Sequence, residues 1–266
     1  MKHVNASRRL PAMLVFAVLV SAAPSLWADT VDVVHEGYGA YDSITFWGAG
    51  YAGDVAAAGV YMLNKTNSTG IGDTWSNGLI PGFCIELHEP PPGSTVTYNV
   101  GMPDDVYNSY TGEILGTDKG NYLRELWAKH YDSAWAGGGS YTEQQNSMAA
   151  IFAAAVWEII YEKLPDTPAG WDVTVDGTPG YGGFSATNMD VATANKWLHE
   201  LTGGGAKADL LVITHNGNQN FLVEVPEPAT LILLGLGGAV GLFGRRRRAI
   251  QWEHSGLNAT RPEEKR

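Results

Sequence analysis

The sequence contains a single cysteine among 266 residues and few basic residues in its central part. One cysteine excludes an intramolecular disulfide framework and a multi-cysteine zinc or iron–sulfur site. Between Asp29 and Pro228, 25 acidic residues stand against 7 basic ones, an excess of 18 negative charges, so no nucleic-acid-binding surface is expected. The chain also has no Gly-x-Ser-x-Gly, His-Glu-x-x-His or phosphate-loop motif. We therefore predict a non-enzymatic protein with no metal, no cofactor and no nucleic-acid partner.

The first 28 residues have the three parts of a secretory signal peptide. The basic residues Lys2, Arg8 and Arg9 precede an apolar run at positions 12–23, and small residues lead to Ala28. This order predicts export and cleavage near residue 28, with an uncleaved membrane anchor as the alternative.

The chain end also combines three features in a fixed order. Pro226, Glu227 and Pro228 precede an apolar segment of 16 residues at positions 229–244. A cluster of four arginines follows: Arg245, Arg246, Arg247 and Arg248. The segment would span about 24 Å as a helix, somewhat less than the roughly 30 Å hydrocarbon core. We predict a short transmembrane helix with the arginines in the cytoplasm and the acidic central region outside it.

This arrangement resembles the PEP-CTERM sorting signal of Gram-negative bacteria, also called the ice-binding protein C-terminal domain, a name that does not imply ice binding. The resemblance covers residues 225–248 and implies recognition by an exosortase, a transpeptidase-like membrane enzyme. It further implies a periplasmic stage at the inner membrane, followed by transfer to the cell surface or extracellular matrix. Residues 249–266 extend beyond the usual signal, and we predict a disordered cytoplasmic tail there. An ordinary membrane anchor is the alternative.

Residues 29–224 are predicted to form one exported domain of the α+β class. The expected architecture is a short-stranded β-sheet or sandwich with an inserted helical section, together with the C-terminal transmembrane helix. Strands are predicted at 30–35, 43–47, 59–64, 80–87, 95–100, 210–214 and 221–225, and helices at 121–130, 143–163 and 190–201. Thr142 and Gln145 predict a capping box at the start of the middle helix.

Cys84 follows a phenylalanine near the end of a predicted strand, and the helix around Trp157 carries the sequence Ala-Val-Trp-Glu-Ile. Together with the closing Gln-Asn-Phe-Leu-Val sequence at 219–223, these residues resemble bacterial thioester domains. The resemblance implies that a cysteine sulfur is acylated by a glutamine side chain and that a target amine or hydroxyl attacks this bond. The expected glutamine position lies four residues before Trp157.

That position is Ala153, whose methyl group cannot supply a carbonyl. Gln145 lies eight residues before Ala153, about 12 Å away along a helix, and Gln144 lies further still. We therefore predict that the fold is retained without the thioester and that Cys84 is a buried structural thiol.

The sequence leaves three functions open. The first is a non-covalent adhesion or binding module of the cell surface, extracellular matrix or biofilm, with polysaccharide as a candidate partner. The others are a covalent adhesin that uses Cys84 and an exported hydrolase without a recognisable motif. Aromatic residues in glycine-rich segments, namely Trp47, Tyr51, Trp75, Trp135 and Tyr181, are the predicted exposed aromatic surface.

Overall fold

A computed structural model describes residues 29–175 and 183–226 of the chain. A long antiparallel hairpin dominates the fold and consists of strands β1 (Thr30–Gly48) and β2 (Tyr51–Thr69). The turn between them has left-handed backbone conformations at Gly48, Ala49 and Gly50, with φ of 100°, 48° and 85°. This turn reverses the chain, so β2 pairs directly with β1.

Seven further strands, three α-helices and four short 3-10 helices make up the other regular elements of the described residues. The strands are β3 (Gly78–Cys84), β4 (Val96–Gly101), β5 (Tyr107–Asn108), β6 (Glu113–Ile114), β7 (Phe184–Thr187), β8 (Leu210–His215) and β9 (Asn218–Glu224). The helices are α1 (Gly116–His130), α2 (Glu143–Tyr161) and α3 (Val191–His199).

The main sheet has seven antiparallel strands in the order β2-β3-β9-β8-β4-β1-β7. Because β1 also pairs with β2, six of these strands form a closed ring, and β7 pairs with the last four residues of β1. Strands β5 and β6 form a separate two-stranded hairpin. Closure gives every strand of the ring a hydrogen-bonded neighbour on each side.

The α+β prediction is wrong, because the described chain is mainly one antiparallel sheet with three helices added to it. The sequence suggested short strands because glycines interrupt the β-branched pattern of the first hairpin. In the structure, the strands continue through these glycines. Gly37 and Gly53 adopt φ of 120° and 89°, and the β1–β2 register shifts at several points along the hairpin. Glycine at a bulge therefore bends a strand here without ending it.

Helix α2 begins at Glu143 as predicted, and its capping box is confirmed. The Thr142 hydroxyl accepts a hydrogen bond from the Gln145 backbone N–H at 3.2 Å, and the Gln145 side chain accepts one from the Thr142 backbone. Every residue from Ala149 to Tyr161 is buried. Small alanine side chains allow neighbouring elements to pack closely around α2, which lies in the core against β1 and β2.

No helix within residues 29–175 and 183–226 is both long enough and apolar enough to cross a membrane. The predicted transmembrane helix at 229–244 lies outside the described residues, as do the signal peptide at 1–28 and the tail at 249–266.

Candidate functional site around Cys84

Cys84 is the last residue of β3 and pairs with Phe221 on β9. Its side chain is only 1% exposed, and its Sγ donates a hydrogen bond to the Glu86 carbonyl oxygen at 3.0 Å. Burial is the main cause that raises the pKa of the thiol, to about 12. At neutral pH the sulfur is therefore a protonated, weakly nucleophilic thiol.

Helix α2 contacts the chain at Cys84 through its aromatic residues. The Trp157 indole Nε1 donates to the Cys84 carbonyl oxygen at 2.8 Å, and one turn later the Tyr161 hydroxyl accepts a hydrogen bond from the Leu87 backbone N–H at 3.0 Å. Ala153 is 1% exposed and precedes Trp157 by one helical turn, so both residues lie on the same face of α2. The face directed at Cys84 thus carries a methyl group at the position where the resemblance places glutamine.

The structure brings Gln219 of β9 to the same site. Its Nε2 donates to the Glu86 carbonyl oxygen at 3.3 Å, the atom that also accepts the hydrogen bond from Cys84. Gln219 is 6% exposed, and its Oε1 has no hydrogen-bond partner within the described parts of the chain. Because Cys84 pairs with Phe221, and residues two apart share a strand face, the side chains of Cys84 and Gln219 lie on the same side of the sheet. The sequence prediction missed this pair because the β3–β9 register cannot be read from either strand alone.

Further hydrogen bonds involve the residues next to this pair. The half-buried Glu86 carboxylate accepts a hydrogen bond from Asn220 Nδ2 at 2.5 Å. Burial, followed by the neighbouring charge of Glu89, raises the pKa of Glu86 above its ordinary value, and the hydrogen bond from Asn220 opposes this shift. The Tyr98 hydroxyl donates to the Gln219 carbonyl oxygen at 3.0 Å. The Gln219 backbone N–H also donates to the Pro90 carbonyl oxygen at 2.9 Å, so the backbone is held on both sides of this residue.

A row of aromatic rings leads to the surface from Phe221, the strand partner of Cys84, whose ring centroid lies 5.4 Å from that of Tyr61. Tyr61 is 5% exposed, and its ring lies 4.9 Å from the ring of Tyr38, measured between centroids. Tyr38 in turn lies 4.6 Å from Tyr41, and these two side chains are 38% and 41% exposed. Register shifts between β1 and β2 flank Tyr38 on both sides, so strand bulges set the direction of the two exposed rings.

The prediction of an exposed aromatic surface is not confirmed by the four of its residues that the structure describes. Trp75 and Trp135 are 1% and 3% exposed and belong to the core, whereas Trp47 and Tyr51 are half-buried. The Trp75 Nε1 donates to the Glu224 carbonyl oxygen at 2.7 Å, which explains its inward position. Tyr181 lies outside the described residues. Flanking glycines indicate an irregular backbone, but they do not indicate which segments cover a side chain.

Within residues 29–175 and 183–226, no group of three or more His, Cys, Asp or Glu side chains is arranged to hold a metal ion. His88, four residues after Cys84, is stacked between Tyr51 and Tyr110, with ring centroids 4.9 and 3.9 Å away. Burial lowers the pKa of His88. Its imidazole is therefore held between two rings and belongs to the packing of this region.

The chain matches the family model of the PEP-CTERM protein-sorting motif at residues 224–248. The match begins at Glu224, the last residue of β9, so the sorting motif starts where the sheet ends. Pro226 is exposed, whereas Glu227, Pro228 and the arginines at 245–248 lie outside the described residues. The motif marks the chain as an exported protein that an exosortase processes at the membrane. No curated protein and no solved structure matches the chain.

Proposed function

We propose that residues 29–224 act as a non-enzymatic binding module of the cell surface or extracellular matrix, delivered there by exosortase sorting. The module holds its target without a covalent bond. In this proposal it is a thioester-domain-like fold that has lost the thioester. The observation that carries the proposal is the buried methyl group of Ala153 on the face of α2 that contacts the Cys84 strand.

The state of Cys84 supports a structural role. A thiol that is 1% exposed and has a pKa of about 12 is protonated at neutral pH and out of reach of a macromolecular target. It behaves as a small apolar side chain between β3, β9 and α2.

The buried carboxylates likewise hold the fold together. Glu125 accepts hydrogen bonds from the Thr202 and Gly203 backbone N–H groups at 3.0 and 2.7 Å, and Glu158 accepts one from the Asp172 backbone N–H at 2.9 Å. These contacts support the non-enzymatic part of the proposal, because each carboxylate already anchors a loop.

A covalent adhesin is the second candidate, and the position of Gln219 favours it. Attack of the Cys84 sulfur on the Gln219 side-chain carbonyl would form a C–S bond, break the C–N bond and release the nitrogen as ammonia, with the thiol proton leaving on it. An amine from a target would then displace the thiolate and form an amide. The shared Glu86 carbonyl places both side chains beside one atom.

Intact mass measurement of the exported, purified protein separates the two candidates. We expect the full calculated mass, no adduct after methylamine treatment, and one alkylated thiol after denaturation. A mass lower by one ammonia, restored as a methylamine adduct, would overturn the non-covalent proposal.

The variants Gln219→Glu and Gln145→Glu provide a matched pair for this measurement. Under the non-covalent proposal, the wild type and both variants show the full mass and one alkylatable thiol. If the wild type lacks ammonia and only Gln219→Glu recovers a free thiol, Gln219 supplies the carbonyl and the covalent candidate is correct.

A further inference from the structure

We infer that Tyr38 and Tyr41 form a binding platform for an uncharged polysaccharide, an inference that rests on the proposed binding function. The two rings are adjacent, with centroids 4.6 Å apart and planes 35° from parallel, and both are more than one third exposed. Exposed tyrosines offer an apolar ring and a polar hydroxyl on the same rigid side chain. Sugar rings match this pattern because they carry C–H faces bordered by hydroxyl groups.

Contacts with neighbouring residues of β1, β2 and α2 hold the two tyrosines in position. Tyr38 packs against His35 and Tyr61 in edge-on contacts, with centroids 5.0 and 4.9 Å away. The Tyr41 backbone N–H donates to Asn146 Oδ1 at 3.2 Å, which ties this part of β1 to the first turns of α2. Rings that are ordered before binding lose less conformational entropy when a ligand arrives.

Two exposed carboxylates lie close to the two tyrosines in the sequence. Glu36 lies two residues before Tyr38, Asp42 directly follows Tyr41, and both carboxylates are exposed; Glu36 accepts a hydrogen bond from Asn64 Nδ2 at 2.6 Å. Carboxylate and amide groups beside an aromatic face can accept or donate hydrogen bonds to sugar hydroxyls. The acidic pair also repels a carboxylated or sulfated polysaccharide.

The charge of the whole domain argues against a polyanionic ligand. Between residues 29 and 226 there are seven lysines and arginines, and six of them hold a hydrogen bond or ion pair with other protein groups. These six are Lys65, Lys119, Arg124, Lys129, Lys196 and Lys207. A polyanionic chain would therefore be repelled by a strongly acidic surface, on which most basic side chains already pair with other groups of the protein.

Affinity electrophoresis of the exported protein tests the inference. The gels contain hydroxyethylcellulose, dextran or galactomannan as uncharged probes, and alginate as the polyanionic probe. We expect at least one uncharged probe to retard the wild-type protein and alginate not to. The double variant Tyr38→Ala/Tyr41→Ala should bind at least tenfold more weakly, equivalent to about 1.4 kcal/mol.

Two controls keep the result interpretable. Tyr107→Ala removes another tyrosine, 62% exposed on the β5–β6 hairpin, and should bind as the wild type does. The double variant Tyr38→Phe/Tyr41→Phe keeps both rings and should retain most of the binding even if the alanine variant folds poorly.

The outcomes separate this inference from the proposed function. If an uncharged probe retards the wild type and the tyrosine variants equally, Tyr38 and Tyr41 are not the binding site. The proposal that the domain is a binding module is then retained. If no uncharged probe retards the wild type, or if only alginate does, the assigned ligand class is wrong. The non-covalent nature of the module is decided separately by the mass measurement.

Discussion

At the scale of single residues, Glu125 shows how this fold uses a buried charge. Its side chain is fully buried, and its Oε1 lies 2.8 Å from Lys129 Nζ. Burial by itself would raise the pKa of Glu125, but the hydrogen bond from Lys129 and the backbone hydrogen bonds after α3 outweigh it and lower the pKa to about 2. The carboxylate thus ties α1 to the loop that follows α3.

The depressed pKa of Glu125 predicts acid sensitivity. An ordinary glutamate titrates near 4.5, so this contribution to stability is complete above that pH and is lost as the pH falls through about 2. Thermal unfolding between pH 7 and pH 2 should show the wild type losing stability in this window. Glu125→Gln should be less stable at pH 7 and show a shallower fall. Parallel curves for the two proteins would show that this carboxylate does not contribute to the acid sensitivity.

At the scale of elements, α2 connects the Cys84 strand to the rest of the core. Its contacts at Cys84 and Leu87 come from Trp157 and Tyr161, one turn apart. The hydrophobic pattern predicted the helix and its capping box because both depend on residues close in the sequence. The pattern could not reveal which strands cover α2 along its buried length, since these strands come from distant parts of the chain.

The hydrogen bond of the Trp157 indole should stabilise the fold beyond the packing of its ring. Trp157→Phe removes the donor to the Cys84 carbonyl and should lower the free energy of unfolding by about 1–3 kcal/mol beyond the loss of packing. The matched control is Trp127→Phe, because Trp127 is 2% exposed and its Nε1 has no hydrogen-bond partner among the described residues. Urea unfolding measures both variants. Equal losses would contradict a stabilising role for this hydrogen bond.

At the scale of the whole molecule, a closed sheet is followed directly by a sorting motif. Strand β9 lies between β3 and β8 in the ring and ends at Glu224, where the motif match begins. Cleavage after the sheet would therefore leave every strand of the ring in the released domain. This arrangement separates delivery, which the motif directs, from the binding that we propose for the folded domain.

The sorting motif predicts a specific processing defect. Replacement of Pro226, Glu227 and Pro228 by alanine should leave the chain uncut, because the exosortase recognition sequence is lost. Immunoblotting of cells and medium should show a longer, cell-associated product. Pro262→Ala/Glu263→Ala/Glu264→Ala changes residues of the same types outside the motif and should be processed as the wild type is. Normal processing of the first variant would exclude the motif as the recognition site.

The sequence alone determined the sorting motif, the three helices and the position of Cys84 near the end of a strand. Each of these features depends on consecutive residues or on a helical repeat, so it can be recognised from residues that are close in the sequence. The signal peptide, the tail and the domain boundaries stay predictions.

Only the tertiary structure decided the length of β1 and β2, the closure of the sheet and the meeting of Cys84 with Gln219. It also placed Trp75 and Trp135 in the core and left Tyr38 and Tyr41 at the surface. Strand register and solvent exposure depend on which distant segments pair with a strand or cover a side chain. The physical reason is that glycines permit both a turn and a bulge, and pairing with a neighbouring strand selects between them.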